Sequence, residues 1–130
     1  MQQVSIHDEY ANGDRFHTLT IDMLTTHITL RELIRRRVYQ EVKDYNNSTP
    51  GYFQGLVQPK EAEKVLNGYK LREKRKIDWE QQYKLAIDAF TQNGYFVLVD
   101  HQQIEDLDTQ IELRVDTEVC FIKLVPLVGG

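Results

Sequence analysis

An α+β fold, a sheet with one face covered by helix, is what the sequence predicts. Three observations predict it: a β-favouring hairpin opens the chain, one long amphipathic helix follows, and two further β-favouring runs close it. The hairpin consists of Val4–Tyr10 (VSIHDEY) and Arg15–Asp22 (RFHTLTID), separated by Ala11-Asn12-Gly13-Asp14. Asn-Gly accepts the positive φ angles of a tight turn, so this is a strong short-range signal. Thr29 and Glu32 then have the spacing of a capping box, in which each side chain satisfies a backbone N–H at a helix start. Leu30, Leu33, Ile34, Val38 and Val42 recur at helical spacing and form the face expected to cover the hairpin. Arg31, Arg35, Arg36 and Glu41 are left toward water.

From Asn46 to Gly94 the chain is an insertion with helical character. Pro50, Gly51, Gly55 and Pro59 punctuate a long loop that also holds Tyr52, Phe53 and Leu56, which either seal the core or offer a recognition surface. Pro59 suits a first helical position, so Glu61–Asn67, with Gly68 behind it, reads as a short helix. Asp78 and Gln81 resemble a second helix cap. Trp79, Tyr83, Ala86, Ile87 and Phe90 follow as an apolar stripe whose spacing core packing explains, and Asn93-Gly94 closes that helix.

Tyr95–Asp100 (YFVLVD) and Thr117–Val125 (TEVCFIKLV) are strong β runs. The segment 102–116 between them carries too many charges for a central strand, and Ile104, Leu107, Ile111, Leu113 and Val115 are the residues expected to pin it to the core. Cys120, Phe121 and Ile122 are consecutive and cannot all face inward, and Leu98 faces either the core or solvent according to register.

Composition excludes several function classes. With 130 residues, 41% of them apolar, the chain fits one domain spanning 1–130 with a single core. A net charge of -4 argues against a general affinity for nucleic acid, and the basic runs Lys70–Lys76 and Arg35–Arg37 read as solvated faces. From Asp100 to Glu118 seven acids face only Arg114. No apolar run suits a membrane span and no leader pattern opens the chain, so a cytoplasmic setting is expected by elimination. His7, His17, His27 and His101 have no metal-like spacing to one another or to Cys120. Cys120, inside a strand, reads as a buried small hydrophobe. Gly51 and Gly55 lack the lysine of a phosphate loop. The expectation is a protein that is not itself an enzyme and binds no cofactor or metal.

The closing segment LVDHQQIEDLDTQIELRVDTEVCFIKLVPLVGG resembles the second half of ubiquitin, in register back from Gly129-Gly130 and with Gln103-Ile104-Glu105-Asp106, Thr109 and Val115 at matching places. The opening hairpin and Thr29-Leu30-Arg31-Glu32-Leu33 likewise resemble its first hairpin and helix. The resemblance implies a β-grasp fold, a mixed sheet wrapped on one helix, with the region 46–94 an elaboration between that helix and the third strand. It further implies a modifier, of a bacterial ubiquitin-like kind, whose Gly130 carboxylate is adenylated by a cognate activating enzyme using ATP and Mg²⁺. A conjugating enzyme, a deconjugating protease and a target protein are the other implied partners, with no nucleic acid and no membrane.

The chemistry suits glycine: a carboxylate becomes a useful electrophile once an adenylate supplies a leaving group, and a residue without Cβ permits close approach in a narrow cleft. Val125, Pro126, Leu127 and Val128 would be the recognised tail, and Leu98 and His101 the docking residues. Pro126 and Val128 stand where ubiquitin has arginines, and the tail looks more like those of the molybdopterin-synthase small subunit and the thiamine-pathway sulfur carrier. A sulfur carrier bearing a C-terminal thiocarboxylate is therefore the first alternative, and a noncovalent β-grasp interaction module is the second.

Overall fold

The structure, a computed structural model, describes residues 2–47, 52–53, 62–65, 68–71 and 77–124. Strands β1 (Gln2–Tyr10) and β2 (Arg15–Met23) form the opening hairpin. Its connection is a turn closed by Gly13 N–H to the Tyr10 carbonyl at 2.9 Å, and Gly13 alone in it takes a positive φ, 93°. The register slips between Asp8 and Glu9: Asp8 pairs with His17, Glu9 with Arg15, and Phe16 is the extra residue of a bulge.

Strand β3 (His27–Thr29) leads directly into helix α1 (Leu30–Asn47). The Glu32 N–H donates to Thr29 Oγ1 at 3.1 Å, as the cap predicts, while the Glu32 carboxylate turns to Arg35 and Arg36. Strands β4 (Tyr52–Phe53), β5 (Ala62–Val65) and β6 (Gly68–Leu71) form a small sheet in the order β4-β6-β5. The short helix predicted over Glu61–Asn67 is thus corrected: where described, it is a strand, with Lys64 opposite Tyr69 and Val65 opposite Gly68. Gly68, taken for a helix stop, opens the returning strand, and start and stop signals around so short a run do not distinguish the two. The basic residues Arg72–Lys76, Leu56 and the side chains of Tyr52 and Phe53 lie outside the described residues.

Helix α2 (Trp79–Thr91) starts where Asp78 accepts from the Glu80 N–H at 3.1 Å. It stops in a six-residue cap: Gly94 N–H reaches the Ala89 carbonyl at 2.7 Å and Asn93 N–H the Phe90 carbonyl at 3.0 Å, with Asn93 left-handed at φ 61°. Strands β7 (Tyr95–Val99), β8 (Gln102–Ile104), β9 (Gln110–Glu112) and β10 (Glu118–Lys123) complete the chain. The segment 102–116 therefore holds two short strands, β8 pairing with β7 and β9 with β3.

The main sheet has the order β2-β1-β10-β7-β8. Only β1 and β10 run parallel, which makes it a mixed five-stranded sheet with β10 at its centre. Val4, Ile6, Ile21, Met23, Val97, Val119 and Phe121 bury one face against Leu30, Leu33, Ile34, Val38 and Val42 of α1. The α2 stripe joins that core: Ala86 is buried, Trp79, Tyr83, Ile87 and Phe90 are partly so, and Trp79 meets Tyr39 edge-on with Arg35 over its ring. Ile111 and Leu113 are buried as expected, but Val115 is 93% exposed. It sits in a turn tied by Thr117 N–H to the Arg114 carbonyl. Among the described residues no helix is long and apolar enough to cross a membrane.

Candidate functional site: the terminal strand and its two faces

β10 is the strand from which Val125–Gly130 follow, so the candidate site is built around it. Antiparallel pairing sets Val119 against Val99 and Lys123 against Tyr95, and parallel pairing sets Cys120 beside His7 and Ile122 beside Glu9. The last described tie before the tail is Leu124 N–H to the Gly94 carbonyl at 3.4 Å. The predicted reactive and recognised residues, Gly129, Gly130 and Val125–Val128, lie outside the described residues.

The strand alternation resolves the two register questions left by the sequence. Val97 and Val99 are buried toward the helix, so Leu98 lies half-buried on the face away from α1, opposite Cys120 and Gln103. Phe121 is fully buried on the helix side, which turns Cys120 and Ile122 outward. His101 is exposed in the β7–β8 turn, where Asp100 and His101 both take positive φ, 50° and 72°. That turn is anchored to β10 twice, by Asp100 N–H to the Glu118 carbonyl and by Glu118 N–H to Asp100 Oδ1, each at 2.9 Å. Leu98 and His101 therefore sit near the beginning of β10, whereas the tail follows its other end. At ~3.3 Å per residue, Leu98's partner Cys120 lies roughly 13 Å along the strand from Leu124. A partner using both would have to span that length.

On the outer face Cys120 Sγ lies 3.4 Å from Glu9 Oε2, and Arg15 Nε donates to the same oxygen at 2.8 Å. Arg15 also reaches Glu118. Burial first, then the Glu9 carboxylate, pushes the Cys120 thiol up to about 11, which makes it a poor nucleophile near neutrality. Arg15 holds the Glu9 carboxyl below its ordinary range, against the opposing effect of burial.

The inner face holds what the sequence did not announce. Arg37, read with its neighbours as a solvated run, is fully buried, and Glu41, expected toward water, is 6% exposed. Arg37 grips Asp8 through two nitrogens at 2.6 and 2.5 Å and donates to Glu41 Oε1 at 3.0 and 3.2 Å, with its guanidinium 4.5 Å from the centre of the Phe121 ring. Burial opposes the charge on Arg37, but Glu41 and Asp8 outweigh it, and the group is raised above its ordinary value. Lys123 faces the same cluster. Burial lowers its ammonium, Asp8 opposes that, Arg37 adds to the lowering and Glu41 opposes it, and its Nζ lies 5.3 Å from the Phe16 ring centre. Asp8, His17 and Glu41 bring ligand atoms within 4.8 Å of one another, a grouping that the histidine spacing alone did not foretell. Arg37 already supplies the cation between both carboxylates, so this set fits an internal ion pair better than a metal.

Comparison of the chain with protein-family models, with curated proteins and with solved structures finds no match.

Proposed function

We propose that the chain is a ubiquitin-like protein modifier of β-grasp fold whose Gly130 carboxylate is activated by a cognate adenylating enzyme and then joined to a target. In the first step a carboxylate oxygen attacks the α-phosphorus of ATP and pyrophosphate leaves. In the second a target amine or an enzyme thiolate attacks the acyl carbon and AMP leaves. The activating enzyme supplies the nucleotide and Mg²⁺, and this chain supplies the electrophile.

The observation that carries the reading is the position of β10. It is the central strand of a helix-backed mixed sheet, parallel to β1, and the segment holding Gly129-Gly130 continues directly from it. Leu98, outward on the neighbouring strand, supports a docking role for that face, with His101 at the turn beyond it.

The test is intact-mass analysis of N-terminally tagged protein expressed with its genomic neighbours, beside a variant lacking Gly129 and Gly130. Covalent adducts that need both glycines are expected. Exchange of one carboxyl oxygen for sulfur without adducts would replace the modifier with a sulfur carrier. An unchanged mass in both proteins, beside an activating enzyme shown to be active, would overturn both covalent readings and leave a noncovalent interaction module.

A further inference from the structure

A cavity of about 410 Å³ opens at the β8 edge of the main sheet, against the C-terminal end of α2. Its size lies within the range of ligand pockets. Its lining joins the apolar side chains Phe90, Ile104 and Leu107 to the charged groups Arg31, Glu105 and Asp106.

Two features say what would fill it. The first is backbone. β8 pairs only with Val97, Leu98 and Val99, leaving Tyr95 and Phe96, which also line the cavity, without a strand on that side among the described residues. Gly94 and Asp100 turn their backbone groups to β10, accepting from Leu124 and donating to Glu118. Alternation along an antiparallel strand then turns Tyr95 N–H and C=O the other way, toward the cavity and past the end of β8. An extended segment laid there would find the donor and acceptor of a continued ladder.

The second feature is charge. Arg31 is held by Asp108 at 3.3 Å, and Asp106 Oδ1 accepts from the Asp108 N–H at 2.8 Å. Glu105 makes no hydrogen bond or ion pair with another described residue. Glu105 and Asp106 thus line the cavity beside one guanidinium that Asp108 already engages, within the acid-rich stretch 100–118. Arginine matches this combination: its stem packs on apolar side chains, and its planar fork pairs with a carboxylate.

We propose that this edge slot docks an extended segment of a partner protein, adding to the sheet at Tyr95 and inserting an arginine toward Glu105. The slot borders the outer face through Phe96 and Gln103, but Leu98 itself does not line it, and the proposal does not depend on conjugation.

The test is selection of an unbiased library of displayed nine-residue peptides on the full-length protein, followed by amide chemical-shift mapping with the best synthetic peptide. The expected peptides carry arginine flanked by β-favouring residues. They move the amides of Tyr95, Phe96 and Ile104, and bind Glu105→Lys at least tenfold more weakly. Glu105 is exposed, so that variant keeps its fold, which unmoved amides of Ile6 and Phe121 would verify. Failure to enrich, enrichment without arginine, equal binding to Glu105→Lys, or shifts at Leu98 and Cys120 that spare Tyr95 and Ile104 would each overturn the proposal.

Discussion

Asp8 and Glu9 are neighbours on β1, and each meets an arginine, but they do so on opposite faces of the sheet. Asp8 points to the helix, where it and Arg37 are both fully buried and Glu41 completes the set. Glu9 points outward to Arg15, whose side chain is 48% exposed and also reaches Glu118. The same chemistry, an arginine between two carboxylates, therefore occurs twice within one strand of itself. Water dissolves most of the attraction on the outer face. On the inner face no solvent substitutes for a missing partner, so the inner cluster is demanding and the outer one is dispensable.

The comparison breaks most visibly at Arg37. Arg37→Met would leave the Asp8 and Glu41 carboxylates buried without their main counter-charge, and a loss of about 3–5 kcal/mol in urea unfolding is expected. Replacing the charges together, with Asp8→Val, Arg37→Met, Glu41→Leu and Lys123→Met, should recover most of that loss, because no buried ion then lacks a partner. A single variant as stable as the parent would show that the cluster does not organise the helix–sheet junction.

The fold was legible because its elements repeat simple periods. Val4, Ile6, Ile21 and Met23 alternate, and Leu30, Leu33, Ile34, Val38 and Val42 step along one helix face; all are buried. The inner cluster was written in the same periods and was hidden by residue type. Asp8 continues the alternation of Val4 and Ile6, while Arg37 and Glu41 occupy the same stripe as Ile34, Val38 and Tyr45. Charged residues are assigned to water by default, and only the meeting of Asp8 with Arg37, 29 positions apart, satisfies them inside. Glu61–Asn67 failed for a different reason: strand pairing with Gly68–Leu71 is a nonlocal fact that overrode a local helix pattern. Leu98 needed only the register, which its buried neighbours Val97 and Val99 supplied.

A smaller effect sharpens the outer side of the comparison through Cys120. Its thiol is raised by burial and then by Glu9, so alkylation by iodoacetamide at pH 7.5 should be slow in the folded protein. Glu9→Gln removes the carboxylate while leaving Cys120 covered. The midpoint of the pH–rate profile should fall from about 11 toward the ordinary thiol value, with a several-fold faster reaction at pH 7.5. An unmoved midpoint would assign the whole effect to burial and separate Cys120 from the Glu9–Arg15 pair.

The smallest effect belongs to Arg15 itself. Arg15→Ala removes the hydrogen bond that holds the Glu9 carboxyl below its ordinary value of 4.5. A group depressed on folding stabilises the native state fully above its unfolded pKa, and that contribution disappears as pH falls through the folded value. Parent and variant should therefore differ slightly near pH 7 and converge in acid, and added salt should shrink the gap because exposed pairs are screened within about 8 Å at physiological ionic strength. The inner cluster provides the control, since the Arg37→Met loss should persist in salt that removes the Arg15→Ala difference. Equal salt sensitivity at both sites would mean that water reaches Asp8 as readily as Glu9, and the contrast between the two faces would fail.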